Sequence, residues 1–204
     1  YLERIDPMHL PLSHGQVREH LARYWFAVAL LRGRVLDAGC GTGYGAAMLG
    51  AQPGITEVLG VDLDRKAIER ARRFYGAPGI EFRQRDLLSA SMSLLRPFDG
   101  IACFEVLEHL QEPEELLRRL DHCLAPGGRF LISTPLGRGR HLPSSQAFHF
   151  FQLRRSEFEE MLSVRFRFSL FGQKGELIER WRPGQRYFLI LALCRSRYDS
   201  ADGT

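Results

Sequence analysis

Hydrophobic and polar positions follow two different rhythms along the chain. Between Gln16 and Leu31 the apolar residues recur every three or four positions, which predicts a helix that ends at Gly33. From Arg34 onward, short apolar runs alternate with amphipathic segments, as in strands followed by helices. The pattern predicts strands at 34–38, 57–61, 80–83, 98–104 and 129–133, and helices at 44–49, 64–75 and 113–124.

The rhythm breaks between Leu136 and Gln152, a stretch with two glycines, a proline, two histidines and three phenylalanines. An irregular connection of this length is uncommon in a compact domain and often functional. A helix over 156–162 is predicted to follow, with Ser156 as N-cap and Glu159 at the third helical position. The last two strands are predicted at 164–171 and 187–195, joined by a polar loop.

Strands that alternate with helices indicate an α/β fold with a doubly wound, mostly parallel sheet and helices on both faces. We expect seven strands. The last two lack an obvious crossover helix between them, so we expect an antiparallel pair at one edge of the sheet.

Composition narrows the class of protein. The chain has 204 residues, of which 45% are hydrophobic and 25% charged, so it is globular rather than disordered or fibrous. The longest apolar run, Tyr187 to Cys194, is far below the roughly 20 residues of a membrane span. No signal-peptide core stands near the start. Four scattered cysteines exclude a zinc ribbon or a disulfide framework, and we expect a cytoplasmic protein.

A glycine-rich turn joins the first strand to the first helix of the alternating region, in DAGCGTGYG from Asp37 to Gly45. Such turns bring backbone N–H groups close to a ligand at a helix N-terminus. Asp37 would repel a pyrophosphate and attract a cation, which argues against a nicotinamide dinucleotide. Asp62 ends the second strand, where an acid can bind both ribose hydroxyls. Asp86 and Leu87 follow the third strand, placed to meet an adenine edge.

Four segments together resemble the successive motifs of class I S-adenosylmethionine-dependent methyltransferases: VLDAGCGTGYG, GVDLD, FDGIACFEVLEHL and LAPGGRFLISTP. The resemblance implies a Rossmann-like fold and a methyl transfer from S-adenosylmethionine, whose ammonium and sulfonium suit Asp37. The implied cofactor contacts are Asp37, Gly39, Cys40, Gly41, Thr42, Gly43, Asp62, Leu63, Asp86, Leu87 and Phe104.

The segment EHLARYWFA resembles the N-terminal helix that covers the cofactor in a bacterial subgroup of these enzymes. It implies Tyr24 as a cofactor contact and Arg23 as a partner of the cofactor carboxylate, although Tyr24 in the core and Arg23 in solvent is an equal alternative. The chain then forms one domain over 1–204: a cap helix in 1–32, a cofactor-binding core in 33–134, an acceptor-side loop, helix and strand in 135–171, and a C-terminal loop and edge strand in 172–204.

The segment after the fourth strand carries candidate chemistry. If a helical turn begins at Glu105, then Glu105, Glu108 and His109 share one face. Two carboxylates and an imidazole can hold a divalent metal or supply a general base. The alternative is structural, with Glu108 and His109 tying the helix to neighbouring loops. Without a metal, we expect His109 or His149 to act as the base, with Glu105 beside them.

The stretch FHFFQLRRSEF around His149 resembles two groups of relatives: a bacterial subgroup often linked to cell-surface sugar or lipid pathways, and small-RNA 2′-O-methyltransferases. The chain is also partly similar to ubiquinone-type O-methyltransferases. In the RNA enzymes a Glu-x-x-Glu-His group and a later histidine bind a metal, which implies Glu105, Glu108, His109 and His149 as ligands. A second histidine of that pattern is missing here. Further candidates for the acceptor are Arg138, Arg140 and His141 for an anionic group, and Phe148, Phe150 and Phe151 for an apolar wall.

Three hypotheses follow. The first is O-methylation of a small-molecule, saccharide or lipid-linked acceptor, because the Asn-Pro-Pro-Tyr type of signature for amino groups is missing after the fourth strand. The second is a metal-dependent ribose 2′-O-methyltransferase acting on RNA, which a net charge of only +4 does not favour. The third is a cofactor-binding domain without catalysis. The oligomeric state stays open.

Overall fold

A computed structural model describes residues 15–142, 144, 146 and 148–198. The sequence expectations for 1–14 and 199–204 fall outside these residues. The helices are α1 (Gly15–Leu30), α2 (Tyr44–Gly50), α3 (Arg65–Tyr75), α4 (Pro113–Cys123) and α5 (Arg155–Ser163). The strands are β1 (Gly33–Ala38), β2 (Ile55–Asp62), β3 (Ile80–Gln84), β4 (Phe98–Phe104), β5 (Leu124–Pro135), β6 (Phe166–Lys174), β7 (Leu177–Arg180) and β8 (Leu189–Ser196).

All eight strands form one sheet in the order β3-β2-β1-β4-β5-β8-β6-β7. Strands β1 to β5 are parallel, and β8 runs antiparallel to both β5 and β6. The α/β fold with an antiparallel edge is therefore confirmed. The prediction of seven strands was wrong, because β7 pairs with β6 inside the segment expected to be a polar loop. This strand has only four residues, with Glu179 and Arg180 among them, so its pattern gives little strand signal.

The order of the strands places a binding crevice. The chain leaves β1 toward β2 and β3 on one side, and returns to β4 and β5 on the other. Connections diverge at the carboxyl ends of β1 and β4, and the crevice of a doubly wound sheet opens at that point. The glycine-rich turn and the segment after Phe104 both begin there.

Apolar layers cover both faces of the sheet. On one face Ala27 of α1 and Leu31, which directly follows α1, pack against the sheet together with α2 and α3. On the other, fully buried aromatic rings such as Phe98, Phe130 and Phe158 pack with α4 and α5. No helix in the described part of the chain is long and apolar enough to cross a bilayer.

Two helix starts test the sequence predictions. The α3 helix begins as predicted, since the Asp64 carboxylate accepts hydrogen bonds from the N–H groups of Lys66 and Ala67. The predicted N-cap of α5 at Ser156 was wrong. The Glu157 carboxylate reaches back to the Arg154 N–H at 2.7 Å, so the helix is capped two residues earlier.

Candidate active site

A cleft of about 590 Å³ lies at the carboxyl ends of β1, β2 and β4, with α1 along one side. The first wall of this cleft is the glycine-rich turn, from which Gly39, Cys40, Gly41 and Thr42 contribute. Gly39 has a φ of 79°, and a Cβ there would meet the Val106 side chain at 2.4 Å. Only glycine therefore permits this close approach.

Gly43 has a structural task instead. It does not line the cleft, and a Cβ on it would lie 2.6 Å from that of Ala71. With a φ of 92°, it precedes α2 and lets this helix pack close to α3. The free Cys40 thiol is buried, and burial raises its pKa well above the usual range, with Asp37 and Asp62 adding to the effect. Cys40 is accordingly a small packing residue in the turn.

Acidic and apolar groups form the second wall. The Asp62 carboxylate accepts from the Gly41 N–H and the Asp64 N–H, both at 2.9 Å, and so ties the turn to the start of α3. Leu63 lies next to it, and Asp86 and Leu87 continue the wall after β3. The structure thus brings together four of the residues predicted as cofactor contacts.

Asp37 is placed differently from the sequence expectation. It is 1% exposed and lies behind Tyr24, whose hydroxyl donates to Asp37 Oδ1 at 3.0 Å, and it does not line the cleft. Burial raises the pKa of Asp37 to about 7, against the opposing effect of the Tyr24 hydrogen bond and with a further rise from Asp62. Sequence spacing alone did not reveal that a tyrosine side chain separates this carboxylate from the cleft.

Tyr24 fixes α1 over the cleft. Its ring packs edge-on against Tyr44 at 5.5 Å and Phe104 at 5.2 Å between centroids. A Cβ on Gly45 would lie 1.9 Å from this ring, so this position at the start of α2 cannot carry a side chain. This packing holds α1 against the start of α2, beside the cleft.

Arg23 also faces the cleft and is 1% exposed. Its Nη1 donates to the amide oxygen of Gln173 at 2.8 Å, while its Nε has no hydrogen-bond partner among the described residues. The buried Thr42 hydroxyl on the cleft wall likewise has none. A buried guanidinium N–H and a buried hydroxyl that lack hydrogen-bond partners are costly unless a ligand binds them. Their chemistry suits a carboxylate.

Sequence reasoning missed two groups on this side. Gln16 and His20 line the cleft beside Arg23, and His20 Nδ1 lies 3.3 Å from the Tyr44 hydroxyl. Their spacing with Arg23 is i, i+4 and i+7, one face of a helix, which was the available signal. Gln173 lies 150 positions from Arg23, and no local pattern connects the two.

The segment after β4 departs from the predicted helical turn. Glu105 has a φ of 55°, and the short 3₁₀ helix begins only at Leu107. The Glu105 carboxylate therefore turns toward β5 and accepts from the Ser133 hydroxyl at 2.9 Å. It does not share a helix face with Glu108 and His109, because the left-handed residue interrupts the helical spacing.

Three side chains meet at this end of the cleft. Donor atoms of Glu108, His109 and His149 all lie within 4.8 Å of one another. The His109 Nδ1–H donates to the Phe148 carbonyl at 2.9 Å, which leaves a lone pair on Nε2 of the neutral ring. The Phe150 N–H donates to the Glu108 carbonyl at 2.8 Å. These two bonds hold the irregular loop, which carries His149, against Glu108 and His109 at this end of the cleft.

Burial controls the charges in this cluster. It raises the pKa of Glu108 well above its usual range, and the Glu105 carboxylate adds to the rise. Glu108 Oε2 accepts from the Thr134 hydroxyl at 3.0 Å, whereas Oε1 is buried with no hydrogen-bond partner among the described residues. Burial also lowers the pKa of His149 to about 4, with a smaller effect from His109. Near neutral pH His149 is therefore uncharged.

The loop residues proposed for the acceptor divide into two sets. Phe148 and Phe150 line the cleft, but Phe151 is buried in the core. Arg138, Arg140 and His141 do not line it. The Arg140 guanidinium pairs with Glu114 and lies over the Phe151 ring, so it anchors the loop to α4.

Comparison with known proteins supplies independent findings. A family model described as a methyltransferase domain matches residues 13–181. A ubiquinone biosynthesis O-methyltransferase of Xylella fastidiosa is 38% identical over 112 residues, 52% of this chain and 44% of that protein. A protein of Mycolicibacterium smegmatis is described as a probable S-adenosylmethionine-dependent methyltransferase. It is 33% identical over 174 residues, which cover 78% of this chain and 65% of that protein. The chain thus spans about half to two thirds of the length of these relatives.

A solved methyltransferase structure shares the fold of this chain. The crystal structure of a TehB-like S-adenosylmethionine-dependent methyltransferase from Corynebacterium glutamicum superposes with a TM-score of 0.66. The two proteins are 25% identical, and the match covers 91% of this chain and 89% of that one.

Proposed function

The chain belongs to the methyltransferase-domain family, and from that premise we propose that it uses S-adenosylmethionine to methylate a hydroxyl oxygen of a small-molecule, saccharide or lipid-linked acceptor. The observation that carries the proposal is the cluster of Glu108, His109 and His149 at one end of the cleft, with Phe148 and Phe150 beside it. A hydroxyl needs a group that takes its proton, and imidazole is suited to this near neutral pH. Similarity to an O-methyltransferase supports the same choice.

We place the cofactor along the cleft from its two walls. Asp86 and Leu87 contact the adenine, and Asp62 binds the ribose hydroxyls. The amino-acid part lies under α1, where Arg23 and Thr42 bind its carboxylate. The sulfonium methyl then points past Phe104 toward the histidine cluster.

The reaction follows from this placement. The acceptor oxygen attacks the methyl carbon, the carbon–sulfur bond breaks, and S-adenosylhomocysteine is the second product. The proton of the hydroxyl passes to Nε2 of His109, whose Nδ1–H is held by the Phe148 carbonyl. Orientation of the acceptor against the methyl group supplies most of the rate, a contribution that reaches about 7–11 kcal/mol in well-aligned reactions.

A divalent metal in the same cluster is the second candidate. Imidazole nitrogens and a carboxylate are ligands of Mn²⁺ and Zn²⁺, and the unpartnered Oε1 of Glu108 fits a cation. Glu108, His109 and His149 would hold the ion, which when bound lowers the pKa of a coordinated hydroxyl. This version suits a vicinal diol such as a terminal ribose. The described lining has arginines only at Arg23 and Arg85, on the cofactor side, so it offers few contacts for RNA phosphates.

The atom that accepts the methyl group can be identified directly. The protein is incubated with methyl-¹³C S-adenosylmethionine and, separately, an alkyl catechol, a methyl glycoside and a short RNA, and the ¹³C shift of the product is recorded. We expect an O-methyl signal with the catechol or the glycoside. An N-methyl or C-methyl signal contradicts the proposal, and a signal with RNA alone replaces it by the ribose alternative.

Substitution of the base tests the assigned role. His109→Ala should lower the rate of methyl transfer by about 10²–10⁴-fold, the usual contribution of a general base, because the hydroxyl proton loses its acceptor. Binding of S-adenosylhomocysteine should remain. A rate within error of the wild type contradicts the assignment.

Metal binding has its own measurement, independent of turnover. Mn²⁺ is titrated calorimetrically into the wild type, Glu108→Gln, His149→Ala and the control Glu105→Gln. Binding that both cluster variants abolish and the control retains supports the metal version. No binding by the wild type leaves His109 as the base without a metal.

A further inference from the structure

Gln173 holds an unusual position for a residue far from the glycine-rich turn. It lies on β6, opposite Leu189 of β8, and is 2% exposed. Leu189 lines the cleft, so Gln173 stands directly behind the wall. Its side chain makes three hydrogen bonds, to α1, to the β6–β7 turn and to Arg23.

The three bonds determine how the amide is oriented. Nε2 donates to the Glu19 carbonyl at 2.9 Å and to the Gly175 carbonyl at 2.7 Å. Backbone carbonyls only accept, so the amide nitrogen has to face them and the amide oxygen has to face Arg23. That oxygen accepts from Arg23 Nη1 at 2.8 Å. The amide thus connects the backbone of α1 to the guanidinium.

The partner of Arg23 is therefore a neutral group rather than a carboxylate. A neutral acceptor fixes the direction of the guanidinium without neutralising its charge, and the Nε has no partner among the described residues. A charged, oriented and incompletely bonded guanidinium is prepared for an external anion. A glutamate at position 173 would instead supply a competing carboxylate and lose both donors.

We propose that Gln173 is a positioning residue that orients Arg23 toward the carboxylate of S-adenosylmethionine and keeps the guanidinium charge free for it. The proposal rests on the proposed placement of the cofactor under α1. It assigns a role in cofactor selection to the antiparallel edge of the sheet, which contributes none of the glycine-turn or acidic contacts.

Paired ligands separate this role from a purely structural one. Affinities for S-adenosylmethionine and for decarboxylated S-adenosylmethionine, which lacks only the carboxylate, are measured by calorimetry. Gln173→Met should weaken binding of the first by about tenfold, the effect of one hydrogen bond to a charged group, and leave the second unchanged. Gln173→Glu, of nearly the same shape, should weaken it at least as much. Thermal unfolding of each unliganded variant shows which of them fold.

Glu176→Gln is the matched control. The Glu176 carboxylate, in the β6–β7 turn, pairs with Arg18 of α1 at 2.7 Å at the surface. It should leave both affinities unchanged. Arg23→Met should reduce the preference for the carboxylate-bearing ligand.

The outcomes are distinct. Equal weakening of both ligands in the Gln173 variants, or no weakening in either, overturns the positioning role while the cofactor placement stands. If Arg23→Met still prefers S-adenosylmethionine over the decarboxylated ligand as strongly as the wild type does, Arg23 does not bind the carboxylate and the premise of the proposal is wrong. Absence of binding of either ligand to the wild type contradicts the proposed function itself.

Discussion

At the scale of single residues, Asp62 has the most demanding task in the cleft. Its carboxylate accepts from the Gly41 and Asp64 N–H groups, and it faces the space assigned to the ribose. The same side chain therefore shapes the turn and meets the ligand.

Asp62→Ala should weaken binding of S-adenosylhomocysteine by about a hundredfold, the effect of losing two hydrogen bonds to a charged acceptor. Calorimetric titration measures this. Glu69→Gln on the exposed face of α3 is the control and should bind as the wild type does. Wild-type affinity in the Asp62 variant would remove this carboxylate from the cofactor site.

Asp37 makes stability depend on pH. Its folded pKa of about 7 exceeds the ordinary value of 3.8 because it is buried, so the folded state binds the proton more tightly than the unfolded chain. The free energy of unfolding therefore falls as pH rises through that interval, by up to about 1.4 kcal/mol per pH unit from this group. Above the folded pKa the stabilisation that the Asp37 proton provides is lost completely.

Asp37→Asn should remove this slope. Between about pH 5 and pH 7 the variant should gain stability relative to the wild type, because an amide keeps a partner for Tyr24 without a charge. Urea unfolding at several pH values measures the difference. A difference between the two proteins that is constant over this range contradicts the account.

At the scale of elements, two helix contacts position the cleft. The α3 helix starts where Asp64 caps it, two residues after Asp62. The α1 helix stays over the cleft because the Tyr24 ring packs directly on Gly45 of α2, which has no side chain. Both contacts link a local rule of the sequence to the shape of the site.

Asp64→Ala should cost about 1 kcal/mol, the usual cost of losing an N-cap, because two N–H groups of the first turn lose their acceptor. Thermal unfolding should shift down by about 2–4 °C for a chain of this size. Asp64→Ser keeps a capping oxygen and should restore most of the loss. An unchanged midpoint in the alanine variant would contradict the capping role.

Gly45→Ala should destabilise the protein by about 1–3 kcal/mol, since the added methyl group overlaps the Tyr24 ring. In a Tyr24→Ala background the same substitution should cost much less. Denaturant unfolding of the four proteins gives the coupling. Equal costs in both backgrounds would mean that the ring and the glycine do not define the position of α1.

At the scale of the whole molecule, the sequence predicted what depends on local pattern. The alternating strands and helices, the glycine-rich turn and the Asp64 cap agree with the fold, because each depends on neighbouring residues. Three features depend on contacts between residues that are not neighbours in the sequence. These are the Tyr24 side chain that separates Asp37 from the cleft, the hydrogen bond from Arg23 to Gln173, and the pairing of β7 with β6. Glu105 was misplaced for a local reason, since spacing does not reveal a left-handed residue.

The most direct test of the account is a crystal structure of the complex with S-adenosylhomocysteine. We predict the adenine against Asp86 and Leu87, the ribose on Asp62, the carboxylate on Arg23, and the sulfur facing His109. Density for the ligand in the opposite direction along the cleft, or outside it, would contradict the proposed site and the reaction derived from it.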